Sequence, residues 1–245
     1  MKKLIAAFAT LKFIFLVLLA LPSFSGCQSV SYSQQTQTAP VATPIATPQK
    51  PDDSVNRPTS DPYRGDLSIF EDPKREENLQ INRVMDILKI SEGKTAADIG
   101  AGSGWFTVRA ARRVGGQGAV YAVEINQEYI NYINERAKRE NLPNIKTILG
   151  EEENPLLPEN EIDAVLILKT YHEIAQPVRF LRNLRPSLKK NGLVGVIDRN
   201  GKGDDHGVGK ETVIQEAKKA GFNLVEEHDF VKPDGMDYFL VFRVR

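Results

Sequence analysis

The chain has 245 residues with 32 basic and 32 acidic side chains, so its formal net charge is zero. One cysteine excludes a disulfide framework and a cysteine-rich zinc site, and three histidines leave little material for a histidine-rich metal centre, so no metal is predicted. The balanced charge argues against nucleic-acid binding, which needs a basic surface.

Residues 1–26 are typical of an export signal. Two lysines stand near the start, and residues 13–21 form an unbroken apolar run. This run is shorter than the about 20 residues that cross a bilayer. Residues 24–27 then read Phe-Ser-Gly-Cys, which resembles the lipobox of bacterial lipoproteins, in which the cysteine, here Cys27, carries the lipid.

The lipobox resemblance implies a lipid anchor on Cys27 and a place in the bacterial cell envelope. Gln28 differs from the aspartate that retains lipoproteins in the inner membrane, so the outer membrane, facing the periplasm, is expected. A cytoplasmic protein is the alternative if the leader is not used, for example through a start at Val30. Without residues 1–26 the chain carries 29 basic and 32 acidic side chains, net −3.

Residues 27–62 are predicted to form a disordered tether. They are rich in Ser, Thr, Gln and Pro and lack the apolar periodicity that would offset the entropy of ordering them. Residues 63–245 are then one domain, expected to be monomeric, and long enough to bury a core of its own.

Helical and strand patterns alternate along this domain. The predicted elements are a helix over 76–88, a strand over 95–99, a helix over 105–114, a strand over 119–123, a helix over 127–141, strands over 145–149 and 162–168, a helix over 178–188, a strand over 193–197, a helix over 210–220, and strands over 224–230 and 238–243. This order predicts an α/β fold, doubly wound, with a mostly parallel seven-stranded sheet and helices on both faces. The last two strands are joined by a turn alone, so the final strand is expected to insert antiparallel.

Residues 97–104, Ala-Asp-Ile-Gly-Ala-Gly-Ser-Gly, follow the first strand and open a helix. Glycines permit a tight turn and a close approach of backbone to ligand, and the loop N–H groups are expected to face that ligand. The spacing is Gly-x-Gly-x-Gly, and Trp105 stands where a dinucleotide fingerprint needs a small residue. A nicotinamide-dependent oxidoreductase is a further alternative, and these two features argue against it.

Glu124 ends the second predicted strand, where a carboxylate can accept both hydroxyls of a ribose. The loop and Glu124 together resemble the class I S-adenosylmethionine-dependent methyltransferases, which are Rossmann-like, over about residues 76–245. The resemblance implies S-adenosylmethionine as cofactor, with Glu124 at the ribose and Ile125 and Glu151 at the adenine. The full set of cofactor residues that it implies is Asp98, Gly100, Ala101, Gly102, Gly104, Glu124, Ile125 and Glu151.

In that family, the segment after the fourth strand lines the methyl-transfer site. Tyr171 or His172 is therefore expected to shape the acceptor pocket, and His172 or Glu173 to act as general base where the acceptor must lose a proton. The alternative is that His172 only caps or packs at the strand end. Asp198-Arg199 follows the fifth strand on the same side and is either part of the site or a salt-bridged loop.

Roles for three other features are predicted mainly from their positions in the sequence. The loop 201–207, which contains His206, is either a lid over the acceptor or a solvent loop. His228 alternates with apolar residues in a late strand and is predicted to be structural. The segment 63–82 is expected to contribute to the acceptor pocket, in particular through Arg75, Glu76 and Asn78.

The leading hypothesis is a membrane-anchored methyltransferase that acts on a small-molecule or envelope acceptor, with no nucleic-acid partner. The alternative is a surface lipoprotein that keeps this fold as a binding module without catalysis.

Overall fold

The computed structural model describes residues 55–60, 63, 65–201 and 206–245. The helices and strands, in chain order, are α1 (Arg75–Leu79), α2 (Ile81–Ile87), β1 (Thr95–Ile99), α3 (Trp105–Val114), β2 (Ala119–Glu124), α4 (Gln127–Arg139), β3 (Ile145–Leu149), β4 (Ile162–Leu168), α5 (Pro177–Leu184), β5 (Leu188–Arg199), α6 (Lys210–Lys219), β6 (Phe222–His228) and β7 (Asp237–Val244). Short 3-10 turns lie at Leu67–Phe70, Tyr171–Glu173 and Arg185–Ser187.

The strands form one seven-stranded sheet in the order β3-β2-β1-β4-β5-β7-β6. Strands β1 to β5 pair in parallel, and β7 runs antiparallel to both β5 and β6. The predicted fold, with its antiparallel final strand, is confirmed.

Apolar side chains lie on both faces of the sheet because alternate strand residues point to opposite sides. Ala97 and Val165 belong to one buried cluster, with residues of α5 and α6. Ala96 and Ala164, one position earlier on β1 and β4, belong to a second cluster with residues of α2 and α3. Burial on both faces accounts for the nearly continuous apolar sequence of β4.

Two predicted helices differ from the observed ones. The helix predicted over 76–88 is broken at Gln80, whose φ of 46° is left-handed, and becomes α1 and α2. The helix predicted over 178–188 ends at Leu184, because Pro186 lacks the N–H that a helix interior needs. The chain then enters β5 at Leu188, which pairs with Ile162.

Residues 55–60, which the composition assigned to the tether, contact the domain. Val55 packs against the core, and Nη2 of Arg57 lies 2.7 and 2.8 Å from the two carboxylate oxygens of Glu216. Arg57 also donates to the backbone carbonyl of Tyr171 at 3.0 Å. The domain therefore starts before the predicted boundary at residue 63.

The predicted signal over 1–26, the lipidation site Cys27 and the tether up to residue 54 lie outside the described residues. Within the part of the chain that the structure describes, no helix is long and apolar enough to span a membrane.

Candidate cofactor and acceptor site

A cavity of about 950 Å³ opens at the carboxyl ends of β1, β2 and β4. Crevices at this edge are where doubly wound sheets bind ligands. The volume lies near the upper end of the range for small-molecule sites, so a cofactor and a small second ligand fit together. The apolar part of the lining includes Tyr63, Ile69, Phe70, Leu79, Phe106, Leu168, Ile174, Phe180 and Val231.

The glycine-rich loop after β1 is fixed by the end of β2. The N–H groups of Gly100 and Ala101 donate to the carbonyl of Val123 at 3.0 and 3.2 Å. The N–H of Gly102 donates to Oε1 of Glu124 at 2.6 Å. The expectation that these N–H groups face a ligand is therefore wrong, because β2 already accepts all three, and the loop is held in shape by them.

Gly100 and Gly102 are needed for different reasons. A Cβ on Gly100 would lie 2.3 Å from the methyl carbon of Thr170, so this glycine lets the loop after β4 cross close to it. A Cβ on Gly102 would meet nothing nearer than Phe70 at 3.9 Å, and its φ is +57°. Gly102 thus presents bare backbone to the cavity. Gly104 precedes α3, faces Ile133 and is not among the lining residues.

Two buried carboxyls, Asp98 and Glu124, line the cavity. Glu124 is 7% exposed, and burial raises its pKa to about 7 against the opposing effect of its N–H donors, Gly102 and Ile125. Asp98 is 2% exposed and accepts the hydroxyl of Thr107 at 2.6 Å, and burial raises its pKa to about 6. Carboxyls with pKa values shifted toward neutrality in a cleft are characteristic of functional sites.

The structure brings most of the predicted cofactor residues together. The residues of this set that line the cavity are Asp98, Gly100, Ala101, Gly102, Glu124, Ile125 and Glu151. Ile125 and Glu151 also line an adjoining depression of about 480 Å³ beside the end of β2. Seven of the eight predicted residues therefore share one surface, and Gly104 is the exception.

The segment before α1 covers the loop through Glu71, which sequence reasoning missed. Oε1 of Glu71 accepts the Ser103 hydroxyl at 2.6 Å, and Oε2 accepts from Arg136 at 3.1 Å. Arg136 also donates to the carbonyl of Ser103 at 3.0 Å. Nothing in the local sequence marks Glu71, because its partners come from distant elements.

Of the three residues of segment 63–82 that were expected at the acceptor pocket, two line the cavity. Arg75 and Asn78 line the cavity. Glu76 does not line it and instead forms an ion pair with Arg109, at 3.0 Å between carboxylate oxygen and Nε.

On the acceptor side, His172 is oriented by a buried carboxylate. Its Nδ1 lies 2.9 Å from Oδ1 of Asp198, and its backbone N–H donates to Oδ2 at 3.0 Å. Burial disfavours the charged imidazole, but the hydrogen bond and charge of Asp198 outweigh it, so the pKa of His172 is raised. Asp198 is fully buried and reaches the site through His172, with which it forms an ion pair whenever the imidazole is protonated.

Tyr171 does not line the cavity, although sequence placed it with the acceptor residues. Its side chain is completely buried, and its hydroxyl donates to Oε2 of Glu216 at 3.0 Å. A buried hydroxyl needs such a partner. His172 and Glu173 do line the cavity and remain the candidates for proton transfer.

The other two histidines have different surroundings. His206 lines the cavity. Residues 202–205 of the same loop lie outside the described residues, so the lid predicted for 201–207 stays a prediction. His228 stacks on Phe239 with ring centroids 5.5 Å apart and lies 3.1 Å from Glu226. These contacts agree with the structural role predicted for His228.

Asp237 was also missed. It begins β7, lines the cavity and forms an ion pair with Lys169, at 2.5 Å between Nζ and Oδ2. Because β7 runs antiparallel, its first residue lies opposite Arg199 at the carboxyl end of β5. The sequence predicts that the final strand is antiparallel, so its first residues should lie beside the carboxyl end of β5. This placement could have identified Asp237 as a cavity residue.

Sequence comparison finds similarity to methyltransferases. A family model described as a methyltransferase domain matches residues 96–192. A protein-L-isoaspartate O-methyltransferase of Methanococcoides burtonii is 32% identical over 110 residues, which cover 44% of this chain and 51% of that protein. A demethylmenaquinone methyltransferase of Geobacillus sp. is 26% identical over 114 residues, 46% of this chain and 49% of that protein. The chain thus spans about half the length of the curated relatives it matches.

Solved structures share the fold. An S-adenosylmethionine-dependent methyltransferase from Aquifex aeolicus superposes with a TM-score of 0.67 at 24% identity, covering 74% of this chain and all of that one. The PH0226 protein from Pyrococcus horikoshii gives 0.61 at 18% identity, covering 74% of this chain and 94% of that one. These superpositions show that the chain shares the fold of these proteins.

The raised pKa of Glu124 predicts how the unliganded protein responds to pH. The folded chain favours the protonated carboxyl, so this contribution to stability is complete below the ordinary pKa of 4.5 and is lost as the pH rises through about 7. Relative to Glu124→Gln, which cannot titrate, the wild type should lose about 2 to 3 kcal/mol of unfolding free energy between about pH 5 and about pH 8. Urea unfolding at both pH values measures this difference.

Glu159→Gln is the matched control, since it removes an exposed carboxyl and should leave the wild-type pH dependence nearly unchanged. A difference between wild type and Glu124→Gln that does not vary with pH would contradict the buried, protonated state of Glu124.

Proposed function

We propose that this protein is an S-adenosylmethionine-dependent methyltransferase. The observation that carries the proposal is the contact between Glu124 and Gly102, which places a carboxylate and bare loop backbone together in a cavity at the ligand-binding edge of the sheet. The match of residues 96–192 to a methyltransferase domain supports it.

The residues present fit this cofactor. Each oxygen of the Glu124 carboxylate accepts one N–H bond and keeps a further lone pair for a ribose hydroxyl. Asp98 lies on the same surface and can accept from the amino group of the methionine part. Ile125 is half exposed and offers an apolar surface for the adenine, beside Glu151.

When bound, S-adenosylmethionine supplies a methyl group on a sulfonium, a leaving group that needs no further activation. The protein must mainly align the acceptor with it, and such positioning accounts for about 7–11 kcal/mol of barrier at best. Where the acceptor loses a proton, His172 takes it. Nδ1–H donates to Asp198, so the Nε2 lone pair is free on the cavity side, 3.5 Å from Glu173.

The acceptor that fits best is a small molecule with an apolar body and an ionisable hydroxyl. Phe106, Ile174 and Phe180 are among the apolar residues that line the cavity. His172 and Glu173 supply the polar groups that would orient the hydroxyl. An envelope component of this kind suits the export signal predicted for residues 1–26.

We further propose that the chain is anchored in the cell envelope, at the outer membrane, through a lipid on Cys27. The support is the sequence of residues 1–27, which lie outside the described residues. Two or more acyl chains on one residue anchor a protein stably.

Substitution at Gly102 tests the cofactor site. In the full chain, Gly102→Asp places a carboxylate in the cavity beside Glu124 and should weaken S-adenosylmethionine binding at least about tenfold, measured by isothermal titration. Gly93→Asp is the matched control, since Gly93 also has a positive φ, +75°, and nothing within 4 Å of a Cβ, but lies before β1 at the opposite end of the strand. Its affinity should equal that of the wild type.

Equal affinity in the two variants, or no binding by the wild type, would refute the cofactor site. Binding without any methyl transfer to envelope extracts would instead identify the non-catalytic binding module.

Labelling with a radioactive fatty acid tests the anchor. In a bacterial host that makes lipoproteins, the wild type should incorporate label and fractionate with membranes, whereas Cys27→Ser should do neither. Cys27 is the single cysteine, so no other thiol can carry the label. Label retained in Cys27→Ser, or an unlabelled wild type in the soluble fraction, would overturn the proposed anchor.

A further inference from the structure

Three side chains with metal-binding atoms converge on the acceptor wall of the cavity. Nε2 of His172 lies 3.5 Å from Oε1 of Glu173, and Nδ1 of His206 lies 3.9 Å from the same oxygen. Ligand atoms of all three residues lie within 4.8 Å of one another. All three residues line the cavity, so a ligand held between them would face its interior.

These separations are close to those of a bound metal. Zinc bonds to imidazole nitrogen and carboxylate oxygen measure about 2.0–2.2 Å, so tetrahedral neighbours lie roughly 3.4 Å apart. The contact between His172 and Glu173 already has that length. Nδ1 of His206 lies 3.9 Å from Glu173, and the ligand atoms of His206 and His172 lie within 4.8 Å of each other, so His206 would have to move toward both. Its side chain is 78% exposed, which leaves room for that movement.

Hydrogen bonds from outside the cluster orient two of these three side chains, as they do in metal sites. Asp198 accepts from Nδ1 of His172, which fixes the tautomer whose Nε2 lone pair points toward Glu173. Oε2 of Glu173 accepts the backbone N–H of Ser60 at 2.7 Å, which leaves Oε1 as the free donor atom. Metal-binding histidines and carboxylates are oriented by outer hydrogen bonds of this kind.

We propose that His172, Glu173 and His206 bind one Zn²⁺ ion at the acceptor end of the cavity. Two imidazoles and one carboxylate form a three-ligand set typical of zinc sites that keep their fourth position open. That position would take an oxygen of the acceptor and lower the pKa of its O–H, so that the proton leaves to solvent. Bound zinc would thus promote deprotonation of the acceptor in place of His172. A zinc site would also revise the expectation, drawn from the composition, that no metal binds.

Metal binding by the full chain tests the site directly. After treatment with a chelator, the wild type should bind one equivalent of Zn²⁺ by isothermal titration, and Co²⁺ in its place should show the intense visible absorption of a tetrahedral ion. His206→Ala should weaken Zn²⁺ binding at least about tenfold, and Asp198→Asn about 10–100-fold through His172. His228→Ala removes the third and last histidine of the chain, which lies on β6, and should bind as the wild type does.

Absence of Zn²⁺ binding, or equal affinities in His206→Ala and His228→Ala, would overturn the proposal. S-adenosylmethionine binding, measured on the same wild-type samples, separates this outcome from the proposed function. A chain that binds the cofactor and no zinc loses the metal site alone, and one that binds zinc and no cofactor loses the methyltransferase proposal alone.

Discussion

The hydrogen bond from Gly102 N–H to the Glu124 carboxylate is the contact on which the cofactor side depends. It joins the loop after β1 to the end of β2, and the Val123 carbonyl accepts the two preceding N–H groups. Burying a carboxyl is unfavourable unless hydrogen bonds compensate, and burial raises the pKa of Glu124 to about 7 in spite of its two N–H donors. The hydroxyls of a bound ribose would donate to the same carboxylate and stabilise its charged form.

The acceptor side is built on the same plan. A buried carboxylate at the end of β5, Asp198, holds His172 of the loop after β4 as Glu124 holds Gly102. The segment 55–60 adds a second support, because Ser60 donates to Glu173 and Arg57 binds the Tyr171 carbonyl. Both halves of the cavity therefore depend on carboxylates at carboxyl ends of parallel strands, Glu124 on β2 and Asp198 on β5, with β1 and β4 between them.

Features carried by one element were predictable from the sequence, and features that join elements were not. The strands follow from apolar runs, and the glycine loop and Glu124 each lie directly at a strand end. The contact of Thr170 with Gly100 and the bond from the Ser103 hydroxyl to Glu71 join residues 70 and 32 positions apart, and no local pattern encodes them. Composition likewise counts three histidines but does not show that two of them meet beside Glu173.

Methyl transfer from S-adenosylmethionine in this cavity is the function proposed for the chain. The most direct test is to incubate the full chain with cofactor labelled in its methyl group and an envelope extract, and to measure label in the organic phase. Label should accumulate with the wild type and fall at least about tenfold with Glu124→Ala, which removes the carboxylate beside Gly102. No label with the wild type, or equal label with both proteins, would contradict it.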